Sequence, residues 1–247
     1  MKLSAVQFRP VPGDIAANIG KHVEWVELAA ELGAGLVFFP ELSLTGYEPR
    51  LAKALAMSGA DSRLEELQRL SDAHGLFIGV GAPLAVASQV QIGMVWFQPN
   101  GPRRVYAKQR LHADELPFFT AGGEQLLLHA DSHTFAPAIC YESLQDEHAA
   151  NAQRMGADVY LASVAKPAGA MARATLHYPA IARTHAMHVV MADCVGPSDD
   201  FVSVGQSAVW NRRGELLAQM DSESEGLVMV DTVSGVASLH VVDGLGQ

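Results

Sequence analysis

The sequence predicts a mixed α/β domain in which helices cover sheets. Short apolar runs of β type alternate with stretches of helical periodicity in the first and middle thirds, and hairpin turns join strands elsewhere. With 247 residues, 49% of them hydrophobic, the chain can bury a sizeable core. We find no linker, low-complexity segment or regular repeat. We therefore predict one domain over residues 1–247, in which residues 233–247 form a C-terminal tail.

The N-terminal third begins with a predicted strand at residues 3–8. Asp14 is a predicted helix N-cap after a turn rich in proline and glycine, and apolar residues at three- and four-residue steps predict a helix to about Leu32. A continuous apolar run at residues 36–39 is typical of a buried strand. The capping-box pattern Ser62-Arg63-Leu64-Glu65 predicts the start of a further helix.

The remaining elements are predicted from the same signals. Strand-like runs bounded by turn residues occur at residues 76–81, 91–97, 105–107, 126–129, 134–139, 159–163, 189–193, 207–210, 215–219 and 227–231. Helices are predicted at residues 147–155 and from about residue 177 to residue 188. Pro179 falls in the first turn of the second of these helices, where proline is tolerated.

Three reactive side chains, those of Glu41, Lys108 and Cys140, each follow a predicted strand. A thiol between a strand and a helix N-terminus meets backbone N–H groups and the positive end of the helix dipole, which lower its pKa. Each residue also has a structural interpretation: a core thiol, a loop carboxylate and an exposed lysine. Glu115 is a further acidic residue, beside aromatic side chains and a loop.

Charge and residue content exclude several classes of function. The formal net charge of -10 argues against nucleic acid as a partner, because binding phosphates requires clustered positive charge. The N-terminus lacks the apolar centre of a signal peptide and no run approaches membrane-spanning length, so we expect a cytoplasmic protein with no membrane partner. The two cysteines and ten histidines lack metal-site or disulfide spacing, so we expect no metal and no cofactor.

The candidate residues lie in three motifs that resemble those of the nitrilase superfamily of carbon-nitrogen hydrolases. Phe39-Pro40-Glu41-Leu42 with Thr45-Gly46-Tyr47 resembles the family's glutamate motif, Tyr106-Ala107-Lys108 with Arg110-Leu111 its lysine motif, and Ile139-Cys140-Tyr141-Glu142 its cysteine motif. Order and spacing agree over nearly the whole chain. The resemblance implies a four-layer αββα sandwich and a homodimer or higher homo-oligomer.

The resemblance also implies a role for each matched residue. Cys140 is the nucleophile, Glu41 carries the proton, and Lys108 stabilises the oxyanion together with the backbone N–H of Tyr141. Glu115 matches an additional glutamate of the family and takes a supporting catalytic role. Glu142 is expected to be structural.

The chain departs from the family after the strand at residues 159–163. Many amide-hydrolysing members carry an asparagine-tryptophan-proline type stretch there, whereas this chain has Ser163-Val164-Ala165-Lys166-Pro167. Lys166 is therefore a candidate for binding a substrate carboxylate, with a solvated lysine as the alternative. Tyr47 and Phe118 are further candidate substrate contacts.

The implied reaction is hydrolysis of a small linear amide to a carboxylic acid and ammonia, through a thioester on Cys140. Nitrile hydrolysis and acyl transfer to an amine use the same three residues, so both stay open. A catalytically silent binding protein with this fold and a metal hydrolase built on the histidines are alternatives from other classes. Loss of activity on thiol alkylation, but not on chelation, would favour Cys140 over a metal.

Overall fold

A computed structural model describes residues 1–241 of the chain. The α-helices are α1 (Ile15–Glu31), α2 (Ala52–Leu55), α3 (Glu65–His74), α4 (Asp146–Arg154) and α5 (Ala168–His185). The strands are β1 (Lys2–Gln7), β2 (Leu36–Phe38), β3 (Phe77–Val86), β4 (Gln89–Phe97), β5 (Arg104–Ala107), β6 (Leu128–Ala130), β7 (His133–Ile139), β8 (Val159–Val164), β9 (His188–Asp193), β10 (Val195–Ser198), β11 (Phe201–Val204), β12 (Ala208–Trp210), β13 (Leu216–Gln219), β14 (Gly226–Asp231) and β15 (Ala237–Val241).

The strands form two large mixed sheets and one hairpin. The first sheet has the order β15-β14-β1-β2-β3-β4-β5, and the second has the order β13-β12-β9-β8-β7-β6. In each sheet the central pairs are parallel, β2 with β1 and β3 in the first and β8 with β7 and β9 in the second. Strands β10 and β11 form a separate two-stranded sheet within residues 1–241.

Alternate residues along each strand face different layers, which defines the αββα sandwich. In β2, Leu36 and Phe38 join the core between the two sheets, whereas Val37 packs on the side covered by α1 and α3. In β8, Leu161 faces the other sheet, whereas Tyr160 packs toward α4 and α5. Because side chains alternate with period two, both sheets are buried on both faces. The four-layer sandwich is therefore confirmed.

Helix α1 forms as its sequence predicts. The Asp14 side chain accepts a hydrogen bond from the Ala17 N–H at 3.0 Å, which satisfies one of the free donors of the first turn. Trp25, Val26 and Ala29 are fully buried against the first sheet. This apolar face stabilises the helix more than its intrinsic propensity does.

Strand β3 continues through Pro83 to Val86, beyond the end at residue 81 that the sequence predicted. The backbone N–H and C=O groups of the odd-numbered residues of β3 point away from β4, and β2 pairs with β3 only as far as Gly79. The missing N–H of Pro83 therefore breaks no strand-to-strand hydrogen bond, and its carbonyl accepts from the Met57 N–H at 3.0 Å.

Helix α5 begins nine residues earlier than the predicted start near residue 177, so Pro179 lies inside the helix. Proline removes one backbone hydrogen bond from a helix interior. The α5 side chains of Met171, Tyr178 and Ile181 are buried against the second sheet. The free energy of this burial outweighs the cost of the lost hydrogen bond. The helix ends at His185 because Ala186 adopts a left-handed conformation, and His188 already belongs to β9.

Two further elements differ from the prediction. The β10–β11 hairpin was not predicted, because Gly196 and Pro197 resemble a plain turn. Residues 237–241, predicted as part of a tail, form the edge strand β15 against β14. The rest of the predicted tail, residues 242–247, lies outside the described residues. Across residues 1–241, no helix combines the length and apolar character that crossing a membrane requires.

Candidate active site

The carboxyl ends of β2 and β8, which belong to different sheets, meet at one edge of the sandwich. The Ser163 hydroxyl at the end of β8 donates to the Phe39 carbonyl after β2 at 2.9 Å. Phe8 pairs with Cys194 in an isolated bridge that joins the end of β1 to the end of β9. Residues that follow strands in both sheets can therefore share one site.

Glu41 lies in a tight turn directly after β2 and is 1% exposed. The next residue, Leu42, has a positive φ of 54°. Gly81 of β3 packs so closely against the Pro40 carbonyl and the Leu42 amide that a Cβ atom there would collide with both. The close approach of β3 thus fixes the turn that points Glu41 into the protein.

Lys108 follows β5 and is fully buried. Its backbone N–H donates to the Ile92 carbonyl at 2.8 Å, and its carbonyl accepts from the Gly122 N–H at 2.7 Å. Its ammonium donates to Glu41 Oε1 at 2.7 Å and to Glu115 Oε1 at 2.6 Å. Two carboxylates therefore flank one ammonium in a site closed to solvent.

The Glu115 carboxylate accepts hydrogen bonds from three partners. Besides Lys108, its Oε1 accepts from the Tyr47 hydroxyl at 3.1 Å, and its Oε2 accepts from the His112 N–H at 2.7 Å. Both oxygens are thus occupied, and Glu115 is 1% exposed. This arrangement fits a residue that positions Lys108 better than one that moves protons.

Cys140 begins a short 3-10 helix directly after β7 and carries a positive φ of 42°. Such a conformation is costly for a residue with a side chain and occurs preferentially at functional sites. The Ser143 hydroxyl donates to the Cys140 carbonyl at 2.6 Å, and Glu142 Oε1 accepts from the Ile139 N–H at 2.8 Å. Cys140 as a residue is partly exposed, whereas the second cysteine, Cys194, is buried.

Burial and charge shift the pKa values of these groups. Burial raises the pKa of Glu41 to about 7, against the opposing effect of Lys108. Burial alone would lower the pKa of Lys108, but the charges of Glu41 and Glu115 hold it above its ordinary value. Burial and the Glu41 charge raise the pKa of the Cys140 thiol to about 12, and Lys166 and Lys108 oppose that rise.

A cavity of about 250 Å³ opens onto the Cys140 thiol. Its lining combines reactive, aromatic and aliphatic side chains, namely Tyr47, His112, Asp114, Glu115, Cys140, Tyr141, Leu144, Ala165, Lys166, Pro167, Ala170, Arg173 and Phe201. The Tyr47 and Phe201 rings meet edge to face, with centroids 5.4 Å apart. The cavity is therefore small, and it has both polar and apolar walls.

The predicted site residues are brought together with one exception. Phe118 does not line the cavity, because the turn that starts at Glu115 directs its ring outward, where it is 40% exposed. The neighbouring Phe119 is buried in the core between the sheets. Lys166 is 1% exposed, so the alternative of a solvated lysine is excluded. Phe201 reaches the cavity from the unpredicted hairpin, and no sequence signal pointed to it.

The described residues contain no cluster of three or more histidine, cysteine or acidic side chains that could hold a metal ion. The reactive groups that lie together are Glu41, Lys108, Glu115 and Cys140, and the Lys108 ammonium binds one oxygen of each carboxylate. This donor set therefore fits proton transfer and attack by sulfur.

An αββα sandwich that joins a carboxylate, an ammonium and a thiol at one edge has the architecture expected of a carbon-nitrogen hydrolase of the nitrilase superfamily. The family model described as carbon-nitrogen hydrolase matches residues 2–239. The chain therefore belongs to the carbon-nitrogen hydrolase family and is a carbon-nitrogen hydrolase.

Relatives and solved structures agree with this assignment. The chain is 25% identical to 2-oxoglutaramate amidase of Bacillus subtilis, covering 93% of this chain and 89% of that protein. It is 26% identical to glutamine-dependent NAD(+) synthetase of Acinetobacter baylyi over 92% of this chain, but it spans only 43% of that protein. The NitN amidase of Nesterenkonia sp. AN1 shares the fold, with a TM-score of 0.86, 24% identity and coverage of 94% and 92% of the two chains.

Proposed function

We propose that this protein hydrolyses a small linear amide to a carboxylic acid and ammonia through a thioester on Cys140. The observation that carries the proposal is the buried Lys108 ammonium, which binds both Glu41 and Glu115 at the site that contains Cys140. An amide is a poor electrophile, so its cleavage needs a strong nucleophile, a proton acceptor and donors for the oxyanion. The cluster supplies all three.

The first half of the reaction forms the acyl-enzyme. Glu41 Oε2 is buried and accepts no hydrogen bond within residues 1–241, so it is available to take the Cys140 proton. The sulfur then bonds to the amide carbon, and the carbonyl electron pair moves to oxygen. Lys108 and the backbone N–H of Tyr141 stabilise that oxygen, each donor contributing about 3 kcal/mol to lowering the barrier.

The second half releases both products. Glu41 returns the proton to the amide nitrogen, the carbon–nitrogen bond breaks and ammonia leaves, so the acyl group remains on Cys140. Glu41 then takes a proton from water, whose oxygen attacks the thioester carbon. The carbon–sulfur bond breaks, the acid leaves, and Glu41 returns the proton to the Cys140 sulfur. A carboxylate used as base and acid in turn works best with a pKa near the operating pH, and a Glu41 pKa of about 7 meets that condition.

The size of the cavity supports a small acyl group. A volume of about 250 Å³ is at or below the lower end of the range for sites that bind drug-sized ligands. Tyr47 and Lys166 line the cavity and are proposed to contact the substrate, whereas Phe118 is not. The Bacillus subtilis relative is named for the amide 2-oxoglutaramate, which is a small linear substrate of this kind.

An ammonia-release screen over small linear amides tests the proposal. We expect turnover by the wild type and an acyl adduct detectable by intact mass, and loss of both in Cys140→Ala. The matched control Cys194→Ala, which removes the buried second thiol, is expected to keep the adduct. Substantial ammonia release by Cys140→Ala would remove the central claim.

Nitriles and added amines in the same screen separate the neighbouring reactions. The acid formed from a nitrile would indicate nitrile hydrolysis, and an N-substituted amide formed from an added amine would indicate acyl transfer. Cyanide hydratase of Botryotinia fuckeliana is 22% identical over 93% of this chain, and this similarity is the reason for including nitriles in the screen. Assembly into a homodimer or larger oligomer remains a prediction that light scattering can test.

A further inference from the structure

Lys166 is a second buried lysine at the nucleophile, with a different set of contacts from Lys108. It follows β8 and its side chain reaches the inner wall of the cavity, where Nζ lies 3.7 Å from Cys140 Sγ. Only 1% of the residue is exposed. Lysine is rarely buried this completely unless its charge is paired or used.

The backbone of Lys166 is fixed on both sides. Its N–H donates to Asp193 Oδ1 at 3.0 Å, and its carbonyl accepts from the Val204 N–H at 3.0 Å. The first contact comes from the end of β9 and the second from the end of the β10–β11 hairpin. Because neither contact depends on the ammonium, the lysine is held at the thiol before any substrate arrives.

The ammonium of Lys166 lacks the carboxylate partners that Lys108 has. Within residues 1–241, no carboxylate oxygen lies within 4.0 Å of Lys166 Nζ, whereas Lys108 Nζ has two such oxygens at 2.6 and 2.7 Å. The sulfur of Cys140 is the hydrogen-bonding atom found beside Lys166 Nζ in this part of the chain. The positive charge of the Lys166 ammonium can therefore interact with the Cys140 sulfur.

We propose that Lys166 is a catalytic residue that stabilises the Cys140 thiolate, while Lys108 stabilises the oxyanion. The proposal rests on Cys140 being the nucleophile of the proposed reaction. In this step the Sγ proton moves to Glu41 Oε2, the sulfur keeps the electron pair, and Lys166 stays protonated throughout. When the sulfur–carbon bond forms, the negative charge leaves the sulfur for the oxyanion, where Lys108 stands.

The other ionisable groups around this pair favour the same assignment. Burial raises the pKa of Asp193 and the Lys166 charge opposes that rise, and within residues 1–241 neither carboxylate oxygen of Asp193 lies within 4.0 Å of Lys166 Nζ. Burial raises the pKa of Tyr178 to about 12, so its hydroxyl stays uncharged at neutral pH. The other ionisable groups that act on the thiol or line the cavity beside it are Glu41, Lys108, Glu115, Tyr47, His112, Asp114, Tyr141 and Arg173. Among these, Glu41 and Glu115 raise the thiol pKa, and Lys108 lowers it.

The test measures how fast iodoacetamide alkylates Cys140 as a function of pH, with intact mass to confirm the site. The apparent midpoint belongs to the coupled Cys140 and Glu41 pair, so the comparison between variants is the informative quantity. In Lys166→Met we expect the midpoint to rise by at least one pH unit and alkylation at neutral pH to slow at least tenfold. Lys166→Arg keeps the cation and is expected to restore most of the rate. Lys53→Met, which removes an exposed lysine on α2, is the matched control and should match the wild type.

A folded Lys166→Met variant with an unchanged midpoint would overturn the proposal. That result would also arise if Lys166 served only to bind a substrate carboxylate, because the thiol is titrated without substrate. Lys166→Gln is the second variant if the methionine variant does not fold, and circular dichroism checks both. This test is independent of the amidase proposal. If the wild type hydrolysed no amide, the difference in alkylation midpoint between the wild type and Lys166→Met would still be expected.

Discussion

Lys108 Nζ donates to Glu115 Oε1 over 2.6 Å, so the lysine proposed to face the reacting carbonyl is held by a carboxylate whose two oxygens both already accept hydrogen bonds. The same ammonium binds the proposed base, Glu41, at 2.7 Å. Burial and the negative charge of Glu115 both raise the Glu41 pKa, whereas Lys108 lowers it. Glu115 therefore positions Lys108 and also adjusts the strength of the base.

Glu115→Gln is expected to move the acid limb of the kcat/KM profile to lower pH. Removing a negative charge near Glu41 favours its ionised form, so the Glu41 pKa falls from about 7. Glu41 then becomes a weaker base, and Lys108 loses one of its two anchors. We expect kcat to fall at least tenfold, equivalent to about 1.4 kcal/mol of barrier.

The matched control for this variant is Glu124→Gln, which removes an exposed carboxylate outside the cavity. It should leave both kcat and the pH profile as in the wild type. An unchanged acid limb in Glu115→Gln would show that Glu115 does not act on Glu41.

Glu142→Gln is expected to lower stability and activity without moving the pH profile. Its Oε1 accepts from the Tyr106 hydroxyl at 2.6 Å and its Oε2 from the Gln109 N–H at 2.6 Å, so it ties the lysine strand to the cysteine turn. A glutamine has one acceptor oxygen, and one buried donor would lose its partner at a cost of about 2 kcal/mol. Urea unfolding measures that loss.

Glu147→Gln serves as the control, because Glu147 pairs with Arg110 at the surface, where such pairs contribute at most about 1 kcal/mol. A shift of the pH profile in Glu142→Gln would contradict its structural role and indicate that Glu142 exchanges protons during turnover.

Local sequence signals predicted the elements that depend on local chemistry. The Asp14 cap, the period of α1 and the apolar runs that end before Glu41, Lys108 and Cys140 need no information from distant residues. The prediction that each of these three residues follows a strand is confirmed. The three residues meet because the two sheets converge. The family resemblance predicted that convergence, whereas local sequence signals did not.

The features that the sequence did not reveal depend on distant contacts. The burial of Lys166 is set by Asp193 and Val204, which lie 27 and 38 residues further along the chain. The outward direction of Phe118 follows from a turn in which its neighbour, Phe119, takes the buried position. Adjacent aromatic residues carry no signal that separates these two outcomes.

The buried imidazole of His22 predicts that the protein loses stability in acid. His22 Nδ1 lies 2.6 Å from the Asn18 carbonyl, and Nε2 lies 2.9 Å from the Ser43 hydroxyl, which itself accepts from the Gly81 N–H. The Asn18 carbonyl can only accept, so Nδ1 carries a proton, and in the neutral imidazole Nε2 then accepts from the Ser43 hydroxyl. Burial lowers its pKa to about 3.

The sign of the effect follows from proton binding in the two states. Below the ordinary histidine pKa of about 6.5, the unfolded chain binds a proton at this position and the folded protein does not, so stability falls as pH falls toward 3. Each such histidine contributes a slope of up to about 1.4 kcal/mol per pH unit. The pKa values of His148 and His188, each lowered to about 4 with burial as the main cause, add slopes of the same sign.

His22→Gln is therefore expected to lose about 1 to 3 kcal/mol at pH 7, because glutamine cannot satisfy both partners in the imidazole geometry. Its free energy of unfolding should then depend less steeply on pH between 6 and 4, by about one proton. Urea unfolding at several pH values gives both quantities, and His74→Gln, at an exposed position on α3, is the control. An undiminished slope in His22→Gln would mean that His22 takes up a proton in the folded protein. In that case the turn that carries Ser43 and Glu41 would have to accommodate a charged imidazole.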